Sequence, residues 1–383
     1  MTVSIMYNMS QPEPAGGWKM IDQERLVNSF CELVKIDSPS DEEEEVARYL
    51  TGRLEGLGFT VERDAHGNLI ASEEGADPLM LSAHMDTVEP GRGIKPEVQG
   101  DRIVSDGTTI LGGDCKAGVA AILEGLESIA LDGGLRRPVQ VVLTRGEEIG
   151  LVGAANLDYS MIRCRDAVVF DGNGPVNTIT GASPTYMRFD VNIMGRGAHA
   201  GVEPEKGLSA IRIATDIINE LPQGRLDEET TFNVGLITGG TVRNAVPVEA
   251  SFGGEFRSHN TETIDLLRMQ VRETMRRARE KYRDATIQEE LEMMFQMYLL
   301  DPNEAIVQLV TKQLRDMALQ PNIHPSGGGT DANAMRLNGV ECVVVGMATN
   351  EMHTVNEYVV IPDIMATAQF CQNILTINQR ARA

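Results

Sequence analysis

The sequence predicts an α/β protein with a second, α+β domain inserted into the first. Strand-like and helix-like segments alternate through the first half of the 383 residues, which is typical of a sheet with a largely parallel core. After Pro184 the order becomes β-α-β-β-α-β, as in a ferredoxin-like two-layer sandwich. We therefore predict a discontinuous domain of residues 1–183 plus 297–383 and an inserted domain of residues 184–296.

The first part of the chain is predicted to hold three helices and several short strands. One helix covers Asp22–Val34, and the next begins at a capping box of Ser40 and Glu43 and ends before Gly58. A third covers Lys116–Ala130, which is apolar at helical spacing. The strands are β-branched or apolar runs: FTVERD, NLIASE, PLMLSAH, IVSDG and VQVVLTR.

The inserted domain and the last part of the chain follow the same logic. The inserted domain has predicted helices over Gly207–Leu221 and Glu262–Asp284, and its strands are TYMRFDVNIMG, TTFNVGLITGG, EASFGGEFRS and EELEMMFQMY. In the last part, helices over Asn303–Met317 and Pro362–Ile377 flank the strand CVVVGM.

Composition excludes several classes of partner. The net charge of −22 would repel phosphates, so we expect neither nucleic acid nor an anionic membrane as a partner. No apolar run approaches the ~18 residues that span a bilayer. The five cysteines are scattered and form no CxxC pair, which argues against a disulfide framework or a thiolate zinc site. The first 20 residues lack the pattern of a signal peptide and are expected to be a loose tail, so we expect a cytoplasmic protein.

Residues that can bind metals follow apolar, strand-like runs. In α/β sheets, ligands bind at the carboxyl ends of strands, so such residues are expected to converge. Two imidazoles and three carboxylates suit two divalent ions with one bridging carboxylate, and a spare glutamate could then handle protons. The residues are His84 in LMLSAHMDTVEP, Asp114 in LGGDCKAG, Glu147 and Glu148 in VVLTRGEEIG, Asp171 in AVVFDGNGP and His353 in MHTVNEYV.

Two of these segments also have purely structural interpretations. His84 could be a buried structural histidine; as a ligand, its second ring nitrogen could be oriented by Asp86, which lies on the same side of an extended chain. Asp114 could be a helix N-cap, and as a ligand it could bridge two ions. We assign Cys115 to packing, because a lone cysteine beside carboxylates is usually a small apolar residue.

The adjacent glutamates are expected to have different roles. Neighbours on an extended segment point in opposite directions, so Glu148 is predicted to be a ligand and Glu147 the general base. Alternatively both are solvated carboxylates at a strand end, although the apolar VVLT before them favours a buried position. Asp171 has the same context, whereas His353 alone would be a surface histidine.

Taken together, the order HMD, GGD, EE, FDG and a late histidine resembles the two-zinc exopeptidase family. Its members include tripeptide aminopeptidases of the peptidase T type, dipeptidases, glutamate carboxypeptidase, aminoacylase and acetylornithine deacetylase. The resemblance extends from about Asp22 to the end and implies an α/β/α catalytic domain with an inserted lid or dimerisation domain.

The resemblance also implies a role for each residue. His84 and Asp171 would bind one zinc ion, Glu148 and His353 the other, and Asp114 would bridge the two. Asp86 would orient His84, and Glu147 would take a proton from the attacking water and pass it to the leaving amine. The implied cofactor is two Zn²⁺, with Co²⁺ or Mn²⁺ as alternatives, and the Asp114–Cys115 peptide bond is expected to be cis.

Further residues match the family outside this set. His199 in GRGAHAG resembles a lid histidine that stabilises the oxyanion, often from a partner subunit. Asn244 and Arg257 resemble substrate-positioning groups, with Arg257 holding a carboxylate, unless it is a surface arginine. Gly327, Gly328 and Gly329 would offer N–H groups to the substrate, or form a plain turn before a helix capped by Thr330 or Asp331. We interpret His66, His259 and His324 as ordinary loop or surface histidines.

Asp171 favours one branch of the family. Peptidases for short peptides tend to have aspartate there, whereas carboxypeptidases, aminoacylases and desuccinylases tend to have glutamate. We therefore expect hydrolysis of di- or tripeptides, with an N-acyl-amino-acid deacylase or carboxypeptidase-like amidohydrolase as the alternative. A non-enzymatic binding module could lose a ligand or Glu147, yet all are present. A homodimer through the lid is a further expectation.

Overall fold

The structure is a computed structural model that describes residues 21–376. The predicted loose tail and the predicted end of the last helix at Ile377 lie outside the described residues. Within residues 21–376, no helix is both long and apolar enough to cross a bilayer.

The segment before the inserted domain supplies most strands of the central sheet. Its elements are α1 (Gln23–Val34), α2 (Glu44–Gly56), β1 (Thr60–Arg63), β2 (Leu69–Ser72), β3 (Leu79–His84), β4 (Glu97–Gln99), β5 (Arg102–Val104), α3 (Gly113–Asp132), β6 (Val139–Thr144), α4 (Val152–Ala155), β7 (Asp166–Gly172) and β8 (Thr178–Ser183).

The remaining elements form the inserted domain and the return to the central sheet. The inserted domain contains β9 (Thr185–Met194), α5 (Ala210–Glu220), β10 (Gly224–Arg225), β11 (Thr230–Gly239), β12 (Glu249–Ser258), α6 (Thr261–Lys281) and β13 (Thr286–Phe295). The chain ends with β14 (Tyr298–Leu299), α7 (Ala305–Asp316), β15 (Asn322–Pro325), α8 (Asp331–Leu337), β16 (Glu341–Gly346), β17 (Thr349–Asn350), β18 (Tyr358–Val360) and α9 (Ile361–Leu375). Apart from the end at Ile377, the ends of the predicted helices agree with the observed ones within about one helical turn, whereas α4 was not predicted.

The central sheet has nine strands and a parallel core. Its order is β1-β2-β6-β3-β7-β16-β8-β14, with β15 beside β8. β6, β3, β7 and β16 run parallel, whereas β1, β2 and β14 pair antiparallel with their neighbours, as do β16 and β8. The predicted largely parallel core is therefore confirmed, and the carboxyl ends of β3, β6 and β7 lie along one edge of it.

Helix α3 lies against this core and carries Asp114 at its start. It is buried along most of its 20 residues, packs on β3 and β7, and is covered by α1 and α9. Gly118 permits the approach, since a Cβ there would lie 2.2 Å from the carbonyl oxygen of Phe170. This close contact places the first turn of α3 beside Asp171 at the end of β7.

The inserted domain has its own sheet and its own apolar core. The sheet order is β10-β11-β12-β9-β13, all antiparallel, with α5 and α6 packed on it. Its buried apolar residues, among them Phe189, Phe232 and Phe256, form a cluster separate from that of the larger domain. The β-α-β-β-α-β order is observed, with the two-residue β10 as an addition, while the domain limits themselves stay a prediction.

The predicted capping box of α2 is wrong. The helix begins at Glu44 after Glu43, and Ser40 does not cap it. The Ser40 hydroxyl instead donates to Asp86 Oδ2 at 2.7 Å, and the buried Glu43 accepts the N–H of Gly146 at 3.0 Å. Tertiary partners have replaced the local contacts that the motif predicts.

A second, small sheet was largely missed by the sequence prediction. β4, β5, β18 and β17 form a four-stranded antiparallel sheet in the order β17-β18-β5-β4. Only β5 was predicted; all four strands are short, with two or three residues each. This sheet flanks the turn that carries His353, between β17 and β18.

Candidate metal centre

The carboxylate of Asp114 lies between two histidines. Its Oδ1 is 3.1 Å from His84 Nε2, and its Oδ2 is 3.1 Å from His353 Nε2. Asp114 is the second residue of α3 but has extended dihedral angles, φ −79° and ψ 107°, and its bond to Cys115 is cis, as the resemblance implies. Each carboxylate oxygen therefore faces a different imidazole.

A further carboxylate accompanies each histidine. Asp171 Oδ1 lies 3.5 Å from His84 Nε2, and Glu148 Oε2 lies 3.0 Å from His353 Nε2. The five side chains thus form two groups of three that share Asp114, one with His84 and Asp171 and the other with Glu148 and His353. These are the pairs that the family resemblance implies, and their role as ligands stays a prediction.

Cys115 borders the His84 group and lies within ligand distance of the same potential ion. Its Sγ lies within 4.8 Å of potential ligand atoms of His84, Asp114 and Asp171, and its thiol donates to the carbonyl oxygen of Phe170 at 2.7 Å. Burial, together with the charge of Asp171, raises the pKa of Cys115 well above its usual value. A buried thiol that is hard to ionise fits the packing role predicted for it.

Within residues 21–376, histidines are the only basic side chains that pair with the carboxylates of this cluster. Among residues 21–376, no lysine or arginine forms an ion pair with Asp114, Glu147, Glu148 or Asp171. Burial raises the pKa of Glu147, Glu148 and Asp171, and neighbouring carboxylates add to the shift. Within the described structure, Glu148 Oε1 is buried without a hydrogen-bond partner.

These properties fit two divalent cations. Imidazole nitrogens and carboxylate oxygens are the ligands of Zn²⁺ in sites without thiolates. Two cations would balance the three candidate ligand carboxylates and Glu147, and would give the partnerless Glu148 oxygen an interaction. The donor set alone does not identify the metal.

Asp86 contacts both a histidine and the turn that carries the glutamates. His84 Nδ1 lies 2.9 Å from the backbone oxygen of Asp86 and 3.3 Å from its Oδ1, so the carbonyl is the closer of the two partners. The carboxylate of Asp86 accepts the backbone N–H groups of Glu147 at 3.0 Å and Glu148 at 3.2 Å. The predicted orienting residue therefore also fixes the glutamate turn.

Glu147 and Glu148 do not lie on an extended segment, so the reason given for their separate roles is wrong. β6 ends at Thr144, and the pair occupies the turn that follows. Ligand atoms of both glutamates lie within 4.8 Å of His84 and of each other. Glu148 alone contacts His353, which still distinguishes it from Glu147.

Sequence analysis missed two buried carboxylates next to this cluster. Asp331 is 1% exposed and accepts a hydrogen bond from the Thr144 hydroxyl, while Thr330 caps α8. Burial raises the pKa of Asp331 to about 7. The signal for Asp331 in the sequence is the TDA triplet after the glycines, which by itself predicts a helix cap.

The second missed carboxylate is Glu357, four residues after His353. It accepts the backbone N–H groups of Leu111, Gly112 and Asp114, and burial raises its pKa to about 7. Nothing in the local pattern NEYV predicts a partner almost 250 residues earlier.

His199 and Asn244 lie together on the inserted domain. His199 is exposed, and its Nδ1 accepts the N–H of Gly201 at 3.2 Å. The carbonyl of Asn244 accepts the N–H of Ala200 at 3.0 Å, which makes the two predicted residues neighbours. Neither belongs to the clusters formed around Asp114 in the described structure, so their catalytic and binding roles stay predictions.

Arg257 connects the inserted domain to the glycine loop. Its guanidinium pairs with Glu255 at 2.7 Å, lies over the ring of Tyr186, and donates to the carbonyl of Gly327 at 3.1 Å. The fork predicted to hold a substrate carboxylate is thus engaged with Glu255. His259, interpreted as ordinary, also reaches this loop, since its Nε2 lies 2.9 Å from the carbonyl oxygen of Ser326.

The glycine loop itself is held by its neighbours. The carbonyl of Gly328 accepts the Ser183 hydroxyl at 2.9 Å, and a Cβ at Gly329 would lie 2.3 Å from the ring of Phe295. Among the described residues, apart from its two chain neighbours, nothing lies within 4 Å of the position of a Cβ at Gly327. The loop precedes a capped helix, as the structural alternative states, and its binding role stays a prediction.

The fold and this centre define a metallopeptidase-like protein, and comparison with known families agrees. The chain belongs to peptidase family M20/M25/M40, whose model matches residues 80–376.

Individual relatives cover nearly the whole chain. It is 36% identical over 369 residues to an uncharacterized protein, YqjE, of Bacillus subtilis, covering 93% of this chain and 99% of that one. It resembles the crystal structure of the aminopeptidase PepT from Bacillus cereus with 36% identity and a TM-score of 0.82, covering 93% and 99% of the two chains. A tripeptidase structure from Staphylococcus aureus matches with 33% identity and a TM-score of 0.86, covering 93% and 98%.

Proposed function

We propose that this protein is a two-zinc exopeptidase that hydrolyses the amide bond of di- and tripeptides, as an aminopeptidase. The main support is the position of the Asp114 carboxylate, whose two oxygens each lie 3.1 Å from a different histidine. The similarity to an aminopeptidase and a tripeptidase supports the substrate class.

Five residues would hold the ions in two groups that share Asp114: His84 and Asp171 on one side, Glu148 and His353 on the other. Two bound zinc ions would act as Lewis acids on the scissile carbonyl and lower the pKa of a bound water. Co²⁺ or Mn²⁺ would suit the same donors.

Glu147 acts as the proton carrier. It lies at the edge of the cluster, forms no ion pair with a lysine or arginine in the described structure, and is fixed through its backbone by Asp86. A carboxylate in that position takes a proton from the attacking water and returns it to the leaving amine. Asp86 orients both His84 and this glutamate.

The inserted domain completes the site. His199 is exposed there beside Asn244, so it is free to approach a substrate on its own chain or on a second copy. β11 supports a homodimer, because Leu236 and Ile237 are exposed and, in the part of the chain that the structure describes, β10 pairs only with the first residues of β11. Exposed apolar edge strands favour pairing with another chain.

The function is tested with a panel of free di- and tripeptides against their N-acetylated forms, using zinc-loaded protein. Free peptides should be cleaved at the first bond, and Glu147→Gln should lose most of this activity with unchanged metal content. Turnover of the N-acetylated compounds alone would replace the peptidase by the deacylase alternative.

The dimer is tested separately. Light scattering should show two copies, and a stable monomer would contradict the proposal. If His199 acts on the partner's site, mixing His199→Ala with Glu147→Gln subunits should restore activity that neither variant has alone.

A further inference from the structure

Glu357 is a buried carboxylate whose hydrogen bonds, within residues 21–376, are all accepted from backbone N–H groups. It is 1% exposed. Its Oε2 accepts the N–H groups of Leu111 and Gly112, both at 2.8 Å, and its Oε1 accepts the N–H of Asp114 at 3.0 Å. Hydrogen bonds from backbone N–H groups to a carboxylate are among the stronger ones in proteins. Glu357 therefore fixes the loop that presents Asp114.

The same residue ends the turn that presents His353. Its own N–H donates to the carbonyl of Thr354 at 3.1 Å, and the Thr354 hydroxyl donates to the carbonyl of Glu351 at 2.8 Å. His353 lies within this turn with φ +63°, a backbone conformation that residues other than glycine rarely adopt. Glu357 thus joins the His353 turn to the Asp114 loop.

The two halves of the metal centre differ in how they are supported. His84 and Asp171 lie on the neighbouring strands β3 and β7 and are buried. The His353 side chain is 51% exposed and lies in a turn between two-residue and three-residue strands. The position of His353 therefore depends more on contacts from residues outside its own turn than the position of His84 does.

We propose that Glu357 is a positioning residue that sets His353 against Asp114 and so maintains the affinity of the ion bound on the Glu148–His353 side. It is too enclosed to touch substrate. This inference rests on the proposed two-metal function. Partners that orient metal ligands typically contribute about 10- to 100-fold in metal affinity.

The test measures metal binding rather than activity. Metal-free full-length protein is titrated with Zn²⁺ against a competing chelator, for the wild type and for Glu357→Gln, which keeps the shape but has one acceptor oxygen. We expect the first equivalent to bind as in the wild type and the second to bind about 10- to 100-fold more weakly. Wild-type affinity for both equivalents, or equal weakening of both, would overturn the proposal.

A matched control separates positioning from general stability. The carboxylate of Glu73 also accepts a backbone N–H, that of Val139 at 2.7 Å. Val139 begins β6, at the end of the strand opposite to the glutamate turn. Glu73→Gln should lower the melting temperature and leave both zinc affinities unchanged.

A second variant covers the case in which Glu357→Gln fails to fold. Glu357→Asp keeps the carboxylate but shortens the side chain by one methylene, so the carboxylate no longer reaches the Asp114 loop. It should also weaken the binding of only the second ion, and wild-type binding of both ions would refute the proposal as well. A wild type that binds fewer than two ions would instead count against the two-zinc function.

Discussion

The carboxylate of Asp86 accepts the backbone N–H of Glu147 at 3.0 Å, and the same Oδ1 lies 3.3 Å from Nδ1 of His84. One buried aspartate therefore links a candidate metal ligand to the candidate general base. Since these contacts involve both groups, a change at Asp86 should affect metal geometry and proton transfer together.

Asp86→Asn should reduce kcat by about 10- to 100-fold with a smaller effect on KM. Asparagine offers one acceptor oxygen, so the N–H of Glu147 or of Glu148 would face an amide donor. Steady-state kinetics on a tripeptide measures the effect. Ser40→Ala is the matched control, because it removes only the hydroxyl hydrogen bond to the same carboxylate. It should raise the activation free energy of the reaction by about 1 kcal/mol or less. Equal losses in both variants would contradict a special role for the glutamate turn.

Glu147→Gln should lower kcat by about 10²- to 10⁴-fold, the usual contribution of a general base. The amide cannot accept the proton, while the ligand set stays intact. Metal analysis of the purified variant should therefore still give two ions for each chain. Loss of metal along with activity would make Glu147 a ligand rather than the base.

Metal binding should release a proton from His353. Hydrogen bonds to Asp114 and Glu148 raise the pKa of His353 to about 10 in the metal-free protein, so its ring is protonated at neutral pH. A histidine must lose that proton to ligate, so affinity on this side should rise with pH and fall in acid. Calorimetry in two buffers of different ionisation enthalpy counts the protons. The His353→Ala variant should release fewer protons on metal binding. An unchanged number of protons would contradict the assignment of the released proton to His353.

Metal-free protein should lose stability as pH rises from about 4 to 7, in part through Asp331. Burial raises its folded pKa from 3.8 to about 7, so the folded state binds more protons than the unfolded state in that window. The Asp331→Asn variant cannot ionise at this position, so it should lose less stability over this pH window than the wild type does. The two losses in the free energy of unfolding should differ by at least about 1.4 kcal/mol, the equivalent of one pKa unit. Urea unfolding at pH 5 and pH 8 makes the comparison. Identical pH dependence in both proteins would show that Asp331 is not the group responsible.

The candidate ligands could be predicted from the sequence because of where strands end. His84 closes β3, Asp171 lies near the end of β7, and Glu148 follows β6, so parallel pairing brings them to one edge. A local apolar run followed by a polar residue carries that information.

Other parts of the site depend on contacts that no local pattern contains. Ser40 binds Asp86 and Glu43 binds Gly146, 46 and 103 residues away, so a good capping motif was overridden. Glu357 reaches Asp114 across 243 residues. Its role follows only from the way the sheet and the His353 turn come together.

The position of β16 between β7 and β8 has a consequence for biosynthesis. Both of its neighbours are translated before the inserted domain, whereas β16 leaves the ribosome only after it. At ~5–20 residues per second, the nascent chain exposes an open strand edge for on the order of ten seconds. The inserted domain, which has its own apolar core, can fold during that delay, whereas the strand edges of β7 and β8 that face β16 stay unpaired until β16 arrives.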